Sequence, residues 1–158
     1  MLPRPRGFAV LGGAARLFSR KAFAMSIVRD LLEKPAALSV ASQYTAINGL
    51  LYLASGLLML AWPGAVQAVF MDAAFAGHEA ALVRLVGMLL AVIGWFYVFG
   101  GRSGARQFVA ASVVDRVTLV PLTLASLALA GVFPHVMTTF AILDPALGFG
   151  AWLLLGRK

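Results

Sequence analysis

Apolar residues in this chain fall in four long blocks instead of alternating with polar ones. The first runs from about Tyr44 to Trp62 and stops at Pro63-Gly64, and the second runs from Ala80 to Phe99 and closes on Gly100-Gly101. The third runs from Val113 to Phe133 with Pro134 as its breaker, and the last runs from Met137 to Leu155, just before Gly156-Arg157-Lys158. A helix needs about 20 mostly apolar residues to cross the hydrocarbon core, and each block has that length. Strict two-residue alternation, the mark of a transmembrane β-barrel strand, is missing from all of them. Open strands would leave backbone groups unsatisfied in lipid. The pattern therefore predicts an all-α membrane protein, a four-transmembrane-helix bundle spanning 44–62, 80–99, 113–133 and 137–155.

Composition excludes most other classes. Of 158 residues, 61% are hydrophobic and 12% charged, against about 45–50% and about 25% in an ordinary soluble domain. That leaves too little charge to cover a soluble enzyme. With no cysteine, thiolate nucleophiles, disulfides, Cys-ligated zinc and iron–sulfur clusters are excluded together. Phosphate-loop and nucleophile-elbow motifs are also missing, and no acidic cluster suits metal-assisted phosphoryl transfer.

The net charge of +7 is explained by where it falls. Arg29 and Lys34 precede the first span, Arg102, Arg106 and Arg116 surround the second connection, and Arg157 and Lys158 end the chain, whereas residues 64–79 contain no Lys or Arg. Basic residues collect on the cytoplasmic flanks of membrane helices. Both termini are expected to be cytoplasmic (N-in/C-in), in a bacterial inner membrane. This is an orientation and headgroup signal, and no nucleic-acid partner is expected. Residues 1–24, with five basic and no acidic residues, read as a disordered or non-native extension; a transit peptide and a true start at Met25 are the alternatives. Residues 25–43 form a lead-in, with an amphipathic interfacial helix expected over 26–34, and 44–158 is the transmembrane domain.

Polar groups within spans are costly and mark candidate sites. Arg84 and Asp144 enter their helices from the same side and carry opposite charges, which suggests an interhelical ion pair facing the interior. Such a pair lines a small polar cavity for an anion, a quinone headgroup or a proton, or it simply clamps helix register; Arg84 can instead snorkel to the headgroups. Asp115-Arg116 sits at the expected start of the third span, read as a helix-end charge and a phosphate anchor, or as a cytoplasmic-side polar site. Asp72, His78, Glu79 and His135 lie in the outer loops without ligand spacing on one helix face, so no metal is assigned. Gly49 and Gly56, and Gly87 and Gly94, recur at seven residues, while Gly148 follows Asp144 by one turn. These small faces let helices approach closely. Asn48, Ser55, Thr118, Thr123 and Ser126 offer interhelical hydrogen bonds, and Pro121 and Pro145 interrupt their helices.

Gly94-Trp95-Phe96-Tyr97, Gly101-Arg102, Phe108-Val109-Ala110-Ala111-Ser112, Asp115-Arg116, Pro121 and Asp144 together resemble the BphX-like small bacterial membrane proteins found with biphenyl-degradation genes. More distantly, the chain resembles the DoxX-like group, through its four spans and the Arg84-x-x-Gly87 entry to one of them. The BphX-like resemblance implies a family without an established activity. The DoxX-like one implies a role beside a quinone-linked redox enzyme, to which a cysteine-free chain brings no thiol chemistry of its own. The expected function is a non-enzymatic accessory or small-molecule-handling protein with a polar intramembrane site at Arg84 and Asp144. The alternative is a membrane subunit of a quinone-dependent oxidoreductase, with quinone as cofactor in that case only. The bilayer is the expected partner, with a homodimer or a membrane redox protein as candidates beside it.

Overall fold

The computed structural model describes residues 28–33 and 35–156. The chain divides into two compact units, residues 1–33 and 34–158. In the first, residues 28–32 are helical and the Glu33 N–H donates to the Arg29 carbonyl at 2.8 Å. A short helix thus lies within the 26–34 stretch, while the extension over 1–24 lies outside the described residues.

The second unit is helical throughout, without a strand among the described residues. Its elements are α1 (Val40–Ala61), α2 (Gly64–Phe70), α3 (Glu79–Arg102), α4 (Arg106–Val117), α5 (Leu119–Leu129) and α6 (Pro134–Leu155). Four stretches are long and apolar enough to cross a membrane: α1, α3, α4 with α5 taken as one span from Arg106 to Leu129, and α6. The multi-pass helical bundle expected from the sequence is the fold observed.

The third span begins seven residues before its expected start at Val113. Its first turns carry Arg106 and Gln107, whose polarity resembles a loop, but the connection from α3 is only Ser103–Ala105. The span breaks at Thr118, with φ −121° and ψ −77°. Pro121 explains the position, because its ring excludes the carbonyl four residues earlier, that of Val117. Pro145, by contrast, sits inside α6 without dividing it.

Apolar burial gives helices no reason to associate in lipid, so close van der Waals fit has to hold them together. The α1–α3 pair is built this way. A Cβ added to Gly49 would lie 2.5 Å from the Val98 nitrogen, and one on Gly87 or Gly101 would lie 2.7 Å from the nitrogen of Leu60 or Ala46. Gly56 and Gly94 press still closer on the backbones of Ala91 and Leu53. A seven-residue recurrence on both helices keeps this seam facing inward over its whole length.

On the other side, α6 packs along both α4 and α5, and α1 bridges the two pairs. By contrast, α3 scarcely approaches α5 or α6, which leaves a cleft between the pairs. One end of it is closed by α2, whose Val66 joins Met59, Val83 and Val136, with Phe70 and Phe140 packed alongside. There Asp72 supplies the N-terminal cap that Phe133 lacks: its two carboxylate oxygens accept from the His135 and Val136 N–H groups, each at 3.0 Å. His135 Nδ1 also lies 3.0 Å from Asp72 Oδ1.

Replacing Gly94 by Leu would force the α1 and α3 backbones apart, and should cost about 1–3 kcal/mol, the range for overpacking. Leu122→Ala, on an outward position 73% exposed, should change stability by less than about 0.5 kcal/mol. Reversible unfolding in mixed detergent micelles would compare them; equal losses would show that the glycine seam is not what holds the pair.

Candidate functional site

The expected Arg84–Asp144 ion pair does not form. Arg84 is exposed on α3, and among the described residues the salt bridge found is that of His135 with Asp72. The cause is depth. Gly87 already meets Leu60, next to the last residue of α1, so Arg84, a turn nearer the start of α3, projects past the end of its neighbour. Asp144 lies level with Tyr52, whose hydroxyl donates to Asp144 Oδ1. Those levels differ by roughly 16 Å at 1.5 Å per residue.

The cation found in the interior is Arg116. It is fully buried, at 0% exposure, because the earlier start of the third span moves it from the membrane surface to the middle of the bundle. The helix-end and phosphate-anchor reading of Asp115-Arg116 is corrected by the same shift. On α4, Val109, Ser112, Val113 and Arg116 form one buried face. Gly148 on α6 gives the arginine stem room, since a Cβ there would sit 2.9 Å from the Arg116 Cβ.

The guanidinium carbon lies 4.3 Å from the Tyr97 ring centroid and 5.2 Å from that of Tyr52. Both distances fall within cation–π range, where a desolvated contact contributes about 2 kcal/mol or more. The two rings meet edge to face with centroids 5.6 Å apart, and Phe108 packs on Tyr97 at 5.9 Å. None of the three Arg116 guanidinium nitrogens has a hydrogen-bond partner among the described residues. Arg116 is thus held by ring faces, and the hydroxyl of one of those rings, Tyr52, donates to Asp144.

Beside this centre lies a cavity of about 200 Å³ in the cleft between α3 and α5. Its walls are apolar, with Leu90 and Ile93 on one side, Leu124 on the other and Phe140 at the back. Its polar end is made by Tyr52, Tyr97, Asp115 and Asp144. Arg116 contributes nothing to the lining, because successive residues of a helix point 100° apart. Asp115 faces the cavity and Arg116 faces the rings.

The remaining expected positions fall elsewhere. Gly49, Gly56, Gly87 and Gly94 serve the α1–α3 seam, and Gly148 the Arg116 slot. Thr118 and Ser126 hydrogen-bond within the third span, to the carbonyls of Val114 and Thr123, and not across helices. Glu79 accepts from the Ala76 N–H at 2.6 Å at the start of α3. No group of three or more His, Asp or Glu residues gathers among the described residues. Tyr52 and Tyr97 escape sequence reasoning as site residues, because tyrosines in apolar helices read as packing or belt residues. The available signal is Asp144, which needs a donor.

Double-mutant cycles separate the two arrangements. Arg116→Met combined with Tyr97→Leu should show a coupling of about 2 kcal/mol, the value for a desolvated cation–π contact. Arg84→Ala with Asp144→Ala should be additive within about 0.5 kcal/mol. A large Arg84–Asp144 coupling would overturn the geometry given above. No protein-family model, curated protein or solved structure matches this chain.

Proposed function

We propose that this chain is a non-enzymatic, small-molecule-handling membrane protein whose working part is the polar-tipped cavity at Asp144. One observation carries the reading: an apolar cavity of about 200 Å³ lies in the cleft between α3 and α5 and ends on two carboxylates and two tyrosines. Binding sites for small molecules take this form, mostly apolar with a few convergent polar groups. Charged groups at mid-span are costly and are kept where they face a cavity or each other. Of the residues that carry the BphX-like resemblance, Gly94, Tyr97, Ser112, Arg116 and Asp144 are buried in the bundle, while Trp95 and Phe96 are exposed.

The alternative, a membrane subunit of a quinone-dependent oxidoreductase, loses its proposed anchor. Arg84 is exposed, and the donors of Arg116 lie against tyrosine rings instead of the cavity.

A photoreactive alkyl probe added to the protein in neutral lipid nanodiscs should label Leu90, Ile93 or Leu124 saturably. Ile93→Trp, which fills the cavity, should remove most of that labelling. Labelling confined to outward residues such as Leu122 and Leu129, without saturation, would refute a small-molecule site.

For orientation, we propose that both termini are cytoplasmic in a bacterial inner membrane, supported by the absence of Lys and Arg from residues 64–79 and the basic flanks elsewhere. A reporter fused after Lys158 should be active in its cytoplasmic form; periplasmic activity would reverse the topology.

A further inference from the structure

Resting on the reading of the cavity as a small-molecule site, we infer that its ligand is a lipophilic monocation, an alkyl- or arylammonium, which reaches Asp144 and Asp115 sideways from the bilayer through the gap between α3 and α5. Three observations point to an ammonium head. First, the cavity shows acceptors. Asp144 is 8% exposed and receives a single hydrogen bond, from Tyr52, out of about four that a carboxylate can accept. Asp115, half-buried on the cavity wall, takes part in no hydrogen bond or ion pair among the described residues.

Second, acidic side chains outnumber basic ones at the centre. Two carboxylates stand against one guanidinium, and Arg116 is turned towards the rings of Tyr97 and Tyr52. Uncompensated charge in a low-dielectric interior is expensive. An ammonium at this end of the cavity offsets the excess of acidic groups, supplies the missing donors and lies beside Tyr52 and Tyr97, which line the same cavity. An anionic head would meet two carboxylates, and Arg116 is not part of the lining.

Third, the route is apolar. Val86, Leu89 and Ile93 on α3, and Val120 and Leu124 on α5, flank the gap, while α2 closes one end of the cleft. An alkyl or aryl tail lying along these walls stays in contact with lipid.

Three eight-carbon probes, octylammonium, octanol and octanoate, test the head with the tail held constant. Binding would be measured by scintillation proximity on the full chain in phosphatidylcholine nanodiscs. Octylammonium should bind saturably and at least tenfold more tightly than the other two. Asp144→Asn and Asp115→Asn should each weaken it about tenfold, whereas Arg84→Ala should leave it unchanged; helical circular dichroism would confirm that each variant is folded. Octanol or octanoate binding as tightly as octylammonium would overturn the cationic ligand while leaving the cavity as a small-molecule site. Saturable binding of none of the three, on protein that is folded, would overturn both.

Discussion

The glycine seam between α1 and α3 is the contact on which the interior depends. In lipid, burying a leucine gains little over leaving it against an acyl chain, so helices associate where their backbones can come close. Gly49, Gly56, Gly87, Gly94 and Gly101 allow this along the whole pair. The same contact sets Tyr52 and Tyr97 edge to face, and those rings in turn hold Arg116. Loosening the seam would therefore change the surroundings of a charge on a helix that α3 touches only slightly.

The interior holds polar side chains beside its apolar ones, while large apolar side chains cover the outside. Ser42, Thr45, Asn48, Ser112, Arg116 and Asp144 are buried, while Leu122, Leu129, Phe96 and Ile142 face outward. This distribution suits a hydrocarbon solvent that accepts leucine and rejects charge. It also explains why α5, which buries no residue, can form one wall of a cleft. Its outer face needs no protein covering.

Much of the fold is legible in the sequence because block length and glycine spacing report directly on span number and on the packing face. The site is less legible. Arg84 and Asp144 stand out as costly residues, but pairing them requires knowing which levels of two helices coincide, and that is set by where α1 ends. Arg116 is misplaced through one boundary. Arg106 and Gln107 resemble loop residues, so the span seems to begin at Val113, which puts a mid-membrane arginine at the surface. The ring contacts that hold it depend on tertiary packing and leave no local pattern in the chain. Pro121 reads as a helix interruption, and the break at Thr118 lies where its ring would displace a carbonyl.

The depth of Asp115-Arg116 bears on how the protein is made. A charged residue at the centre of a span costs about 2.5–3.5 kcal/mol when the helix leaves the translocon for lipid. Two adjacent ones set roughly 5–7 kcal/mol against the apolar residues of the third span. By then the first two spans have emerged and can already be zipped along their glycines, presenting Tyr52 and Tyr97 as a face for the arginine. In chain order the pair without charge at its centre precedes the charged span, so its glycine seam and tyrosine face can be complete when Asp115-Arg116 reaches lipid.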